Sequence, residues 1–209
     1  MMPLIPLCGV GFYNLIEHQI RKNNSMKLTA NYLSSLHLLI VLCINVLIRN
    51  ESTLLNNILV MNTTGYFFND ILYILKYKKL KITNLVYLYH HITVGLFMIY
   101  KSENSYFTTI LFLGEISNIP TNIIYHLIHS DGLPDNLKLK NICEYFQLYV
   151  YTFIRIFCMS YLSYYEYYLE KDSMHTIIYY LIQPILLMGY IYSIILFKNK
   201  YINEEKKKQ

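Results

Sequence analysis

The polar side chains of this sequence are gathered between long apolar stretches rather than spread along them. Seven stretches can be drawn, at 3–20, 28–48, 58–75, 82–100, 105–128, 142–163 and 174–197, each near the roughly 17 to 25 residues that a membrane-crossing helix requires. Of all Asp, Glu, Lys and Arg side chains, only Glu17, Asp70, Glu115, Glu144 and Arg155 fall inside them. The pattern predicts an all-α, polytopic membrane protein with about seven transmembrane helices. The connecting residues are too few to build a second core, and the length of the apolar runs excludes a soluble enzyme or a disordered chain.

Composition alone would not have decided this, since 55% hydrophobic residues and 15% charged ones also suit a soluble domain. The mean hydropathy of +0.29 is modest because 23 Tyr and many Asn lower it, while Tyr suits membrane interfaces. Without any Trp, an aromatic belt must be made of Tyr and Phe.

Charge position fixes an expected orientation. Arg21, Lys22 and Lys27 follow the first stretch, Lys76, Lys78, Lys79 and Lys81 the third, Lys138 and Lys140 the fifth, and Lys198, Lys200, Lys206, Lys207 and Lys208 the seventh. The alternate connections hold only Arg49, Lys101 and Lys171. The positive-inside rule then places the C-terminus in the cytosol and the N-terminus in a lumen or outside. The net charge of +5 marks a membrane face, and no nucleic-acid partner is expected.

The first stretch has no Lys or Arg ahead of it and so lacks the basic n-region of a signal peptide. It is read as the first helix, although Glu17 and His18 make it the weakest span, and an interfacial segment ahead of six spans is the alternative. The expected organisation is 1–27, first transmembrane helix and basic cytosolic turn; 28–197, six-helix domain; and 198–209, basic cytosolic tail. That tail ends Lys206-Lys207-Lys208-Gln209 and resembles the di-lysine signal that returns membrane proteins to the endoplasmic reticulum. Asn50-Glu51-Ser52 is a glycosylation sequon on the expected luminal side, and Asn23-Asn24-Ser25 one on the cytosolic side. Cys8, Cys43, Cys143 and Cys158 are scattered without a CxxC spacing and are read as small buried residues.

Ionisable groups inside spans are costly and usually face a bundle interior. His37 lies nine residues into the second stretch, His90 and His91 eight and nine into the fourth, and Glu115 ten into the fifth. Asp70 lies toward the cytosolic end of the third and Arg155 in the luminal half of the sixth. Three helices thus bring a titratable group to one middle layer, with Asp70 and Arg155 to either side of it, which a shared polar cavity would explain. Glu115, Asn118 and Asn122 form one stripe at helical spacing, Tyr66, Asn69, Asp70 and Tyr73 another, and Pro120 should kink the fifth span. For Asn69, Asn118 and Asn122, interhelical hydrogen bonding competes with a role at a site.

Adjacent histidines point about 100° apart on a helix, so His90 and His91 are unsuited to gripping one metal ion, and no metal is expected. A buried neutral imidazole can accept a proton or act as a nucleophile toward an activated acyl group.

Four pieces in order carry a family likeness: Gly65-Tyr66-Phe67-Phe68-Asn69-Asp70; Tyr89-His90-His91; Leu113-Gly114-Glu115-Ile116-Ser117-Asn118-Ile119-Pro120; and Phe153-Ile154-Arg155-Ile156. With Ser34-Ser35-Leu36-His37 ahead of them, they resemble the TLC-domain family, which groups ceramide synthases, translocating-chain-associating proteins and lipid-homeostasis proteins. The resemblance implies six helices in a barrel around a cavity for a lipid acyl chain, with one helix outside. It also implies that His90 and His91 match the paired histidines at the ceramide synthase reaction centre. Ceramide synthases follow that pair with a His-Asp and a second Asp, where this chain has Gly114-Glu115 and Asn118. The likeness is therefore to the smaller transmembrane TLC-domain proteins.

The leading expectation is a protein of the endoplasmic reticulum that binds membrane lipid in a central cavity lined by His37, Asn118 and Arg155 and acts in lipid homeostasis, without a cofactor. The alternative is an acyltransferase with acyl-CoA as co-substrate and a sphingoid base as acceptor. In it His90 or His91 carries the chemistry, Asp70 or Glu115 orients it, and Arg155 pairs with a carboxylate. A seven-helix receptor is a remote third reading.

Overall fold

The computed structural model describes residues 4–47, 53–79, 81–101, 105–129, 137–169 and 173–206. Among them there is helix and no strand: α1 (Leu4–Arg21), α2 (Met26–Leu47), α3 (Thr53–Tyr77), α4 (Ile82–Lys101), α5 (Ser105–Ile116), α6 (Ile119–His129), α7 (Leu137–Thr152), a π-helical turn (Phe153–Cys158), α8 (Met159–Leu169) and α9 (Ser173–Lys206). Two interruptions account for the difference from the seven expected rods. α5 and α6 are halves of one broken rod, and α7, the π turn and α8 run on as another. By length and apolarity, Leu28–Leu47 and Leu54–Tyr77 are long enough to cross a membrane, with shorter apolar helices at Asn84–Ile99 and Tyr179–Gly189.

Local chemistry sets the helix ends. Ser25 caps α2, its Oγ accepting the Leu28 N–H at 3.3 Å, which satisfies one of the donors a helix start leaves open. Asn84 closes the turn into α4 through its side-chain bond to the Lys79 carbonyl at 2.6 Å.

Packing is two-toned. One end of the bundle is filled by an apolar cluster from α2, α3, α4, α5, α8 and α9 that includes Val41, Leu59, Met98, Leu111, Met159 and Leu186. Nearer the other end the buried positions turn polar: Thr29, Asn31, His37, Asn62, Asn69, His91, Glu115 and Ser117. The outside reverses the usual rule, with Leu39, Val46, Leu54, Leu72, Ile82 and Phe153 all more than half exposed. An apolar exterior around a polar interior is what a lipid solvent selects.

α1 packs on α3 and α2, and its closest approach is between glycines. A Cβ on Gly9 would collide with the Met61 carbonyl, and one on Gly65 with the backbone of Gly9, so the α1–α3 crossing depends on small residues that let two backbones touch. Gly11, two residues on, has open space around it. The remaining rods follow one another as neighbours, α2 on α3, α3 on α4, α4 on α9, α9 on the α7–α8 rod, and that rod on the α5–α6 rod, which returns to α2.

Cys143 is buried, but Cys8 and Cys43 are exposed. Burial therefore does not account for the latter two, which lie on the apolar exterior. The Asn50 sequon and residues 207–209 of the lysine tail lie outside the described residues.

Candidate functional site

α3 presents Asn62, Tyr66, Asn69 and Tyr73 at spacings of three and four, a single polar stripe. Sequence reading began that stripe at Tyr66 and missed Asn62, which proves central. Tyr13 of α1 is fully buried, and its hydroxyl donates to Asn62 Oδ1 at 2.5 Å. That bond orients the amide, so Asn62 Nδ2 faces His37 Nδ1 at 2.9 Å. An amide nitrogen can only donate, hence Nδ1 of His37 is the acceptor and its proton resides on Nε2. Nε2 lies 3.4 Å from Glu115 Oε1, within ion-pair reach although not aligned as a hydrogen bond. Tyr66 stacks on the His37 ring, centroids 4.3 Å apart.

The chain of polar contacts continues beyond Glu115 because the helix breaks there. Asn118 N–H bonds the Glu115 carbonyl at 2.9 Å, one residue short of the α-helical partner, and Pro120 has no N–H to offer Ile116. The Gly114 carbonyl, which Asn118 N–H would otherwise take, receives the Ser117 hydroxyl at 2.6 Å and Arg155 Nη2 at 3.3 Å. Arg155 also donates from Nε to Ser117 Oγ and from Nη2 to Asn118 Oδ1, both at 2.9 Å. Its guanidinium lies 4.3 Å from the Tyr151 ring centroid. The kink expected at Pro120 is thus a full interruption at Ser117–Asn118, stapled by Arg155 from the π turn. A π turn widens the helix by a residue and is frequent at functional positions.

A second histidine–carboxylate contact is separate. His91 Nδ1 approaches Asp70 Oδ2 at 2.9 Å, again without hydrogen-bond alignment. His90 turns away from it, its ring edge-on to Phe67 at 5.9 Å and its Nδ1 buried without a hydrogen-bond partner. Phe67 also packs on His91 at 4.9 Å and on His37 at 5.5 Å, so Tyr66 and Phe67 form the wedge between the two pairs.

Two expectations are corrected. Glu115 is placed on His37 and not on His90 or His91, because it sits on α5 facing α2; among the described residues Asp70 is the carboxylate at His91. Among the described residues Arg155 bonds neutral oxygens of Gly114, Ser117 and Asn118 rather than a carboxylate, since the broken helix frees the Gly114 carbonyl beside the side-chain oxygens of Ser117 and Asn118. Asn118 Nδ2 reaches Glu115 Oε2 at 3.4 Å and so joins the site. Asn69 and Asn122 instead join helices to one another, through Glu17 at 3.1 Å and Ser34 at 3.4 Å. No group of three His, Cys, Asp or Glu side chains among the described residues is placed to hold a metal ion.

Buried histidines and carboxylates on several helices of an apolar-surfaced bundle do not by themselves name a family. A family model does: the TLC domain matches residues 10–199. The chain belongs to the TLC-domain family. No curated protein and no solved structure matches it. As a TLC-domain protein it is a membrane protein of a family involved in lipid metabolism or sensing. The match begins inside α1 and takes in every residue of both histidine–carboxylate pairs. It also takes in Tyr13 and Arg155, the two ends of the polar chain.

Proposed function

We propose that this TLC-domain protein crosses the membrane with seven helical rods, six of them arranged as a barrel whose interior receives membrane lipid. On this reading it serves lipid homeostasis in the endoplasmic reticulum with its C-terminus in the cytosol. The observation that carries the reading is the pair of histidine–carboxylate contacts, His37–Glu115 and His91–Asp70, with His37, Glu115 and His91 buried inside a bundle whose exterior is apolar. Polar groups at such depth are costly, and a polar lipid portion is the ligand that a lipid solvent supplies there. The closed order of neighbouring rods supports the barrel, and the basic cytosolic connections support the orientation. The test is purification of the full chain in detergent followed by mass spectrometry of co-purifying lipid. A stoichiometric lipid that is lost on changing His91 and Glu115 to Leu together is expected, and a lipid-free, folded protein in lipid-rich extract would refute the reading.

A second reading, N-acylation of a sphingoid base by acyl-CoA, is favoured by the 2.9 Å approach of Asp70 to His91. That contact can hold the imidazole in position to take a proton from an amine as the carbonyl carbon is attacked and the thiolate leaves. Labelled acyl-CoA supplied with sphingoid bases should yield labelled amide; product persisting in the His90→Ala/His91→Ala variant would sink this mechanism.

A further inference from the structure

Between the ends of α1, α2 and α3 that carry the basic turns lies a cleft lined by Glu17, Arg21, Thr29, Leu33, Asn69 and Asp70 together with Tyr66 and Tyr73. The cleft is partly open, and the space at its inner end is small, about 10 Å³, room for one group the size of a water molecule. Two carboxylates face it. Glu17 keeps its neighbours Asn69 at 3.1 Å and Arg21 at 3.7 Å, while Asp70 has a side chain 23% exposed and meets His91 Nδ1 at 2.9 Å. Behind Asp70 stands His91, whose side chain is only 8% exposed. Its Nδ1 has no hydrogen-bond partner and is directed at the Asp70 carboxylate that forms the inner wall. An imidazole Nδ1–H can serve only one Asp70 oxygen, so the Asp70 and Glu17 carboxylates remain two negative groups lining a cleft whose lining includes one cation, Arg21.

We propose that this cleft is a binding site for the primary ammonium group of a membrane lipid, with Asp70 and Glu17 as its acceptors. The inference rests on the lipid-binding reading above and names the headgroup chemistry and the place. An ammonium has three N–H donors and the bulk of a water molecule. Asp70 and Glu17 take two of them. Thr29 Oγ1, whose own proton goes to the Ser25 carbonyl at 2.9 Å, has lone pairs free for a third. A trimethylammonium group is bulkier and has no N–H to give Asp70, Glu17 or Thr29, so the acceptors discriminate ethanolamine-type from choline-type headgroups. Leu33 and the edges of Tyr66 and Tyr73 supply apolar wall. Arg21, held at the rim by the Tyr77 hydroxyl at 3.0 Å, stands where a phosphate would lie if the amine is carried by a phospholipid rather than by a single-chain lipid amine.

The experiment measures binding of three probes to the full-length protein in neutral detergent: dihexanoyl phosphoethanolamine, dihexanoyl phosphocholine, and dodecylamine. The ethanolamine probe should bind at least tenfold more tightly than the choline probe, and Asp70→Asn should reduce that preference to under twofold. Because Asp70 also meets His91 and the variant could lose its fold, Glu17→Gln at the rim is measured alongside, with a preference expected to fall about threefold or more. Arg21→Gln should weaken the phosphoethanolamine probe and leave dodecylamine unaffected if a phospholipid is the source, and should leave both unaffected if a single-chain amine is. Equal binding of ethanolamine and choline probes, or a preference that survives both carboxylate variants, overturns the ammonium site while leaving lipid binding intact. Failure of every probe, with no lipid co-purifying, removes the lipid-binding reading as well.

Discussion

Replacing Arg155 by Ala tests whether the break between α5 and α6 is held open by a guanidinium staple. The substitution removes two 2.9 Å bonds, to Ser117 and Asn118, and the 3.3 Å bond to the Gly114 carbonyl. Interhelical hydrogen bonds within membrane proteins are worth about 0.6 kcal/mol on average and about 1.7 at most. Bonds to a charged donor in a dry site fall toward the upper end. The Gly114 carbonyl keeps the Ser117 hydroxyl, so its loss is the smallest of the three. The expected destabilisation is about 3 kcal/mol, which for a chain of this size is a fall in Tm of about 6–12 °C. Arg155→Lys keeps the charge but not the planar fork, and one ammonium cannot serve Ser117 and Asn118 in the same geometry; about half of the loss should remain. Arg155→Met retains the stem that packs against Gly189 and should resemble Ala, because the staple is polar. The assay is thermal unfolding of purified protein in detergent, in a background where Cys8, Cys43 and Cys158 are changed to Ser, read by a thiol-reactive dye that reports exposure of the buried Cys143. A Tm of Arg155→Ala within about 2 °C of the parent, or a Lys variant equal to it, would refute the reasoning.

Gly65→Ala should cost about 3 kcal/mol or prevent folding, since its methyl would meet the Gly9 backbone, whereas Gly11→Ala should leave Tm within about 1 °C because nothing lies near it; thermal unfolding of the pair checks this. His37→Leu should destabilise by about 3 kcal/mol by leaving the buried Glu115 with only the 3.4 Å contact of Asn118 Nδ2, and His37→Leu/Glu115→Leu should recover most of that. A double variant no more stable than the single would count against the pairing. Tyr13→Phe should lose about 1–2 kcal/mol through the unsatisfied Asn62 oxygen, seen as a lower detergent-denaturation midpoint. The same change in a background carrying Asn62→Leu should then be nearly silent.

The candidate site is partly legible in the order of residues alone. His37, Glu115, Asp70, His91, Asn118 and Arg155 stand out because each is a polar group in an apolar stretch, a one-dimensional signal. Asn62 and Tyr13 do not, because a single Asn or Tyr in a span is common and only a partner on another helix gives it meaning. Helical spacing would have extended the α3 stripe back to Asn62, but nothing in the order of residues pairs Tyr13 with it across 49 positions. The break at Ser117–Asn118 is legible as a kink from Pro120, yet the π turn that answers it is not, since Phe153–Cys158 reads as ordinary apolar helix.

What the sequence determined by itself follows from periodicity and solvent preference: helical rods, their approximate ends, an apolar exterior, and the set of intramembrane polar residues. Tertiary structure decided the pairing. Glu115 and Asp70 were equal candidates for the histidines of α4 until the packing of α2 on α5 gave Glu115 to His37 and that of α3 on α4 gave Asp70 to His91. The physical reason is that the cost of burying a charge is set along the chain by which residue is polar and which stretch is apolar. The group that offsets that cost lies on another helix, at a distance only the packed bundle defines.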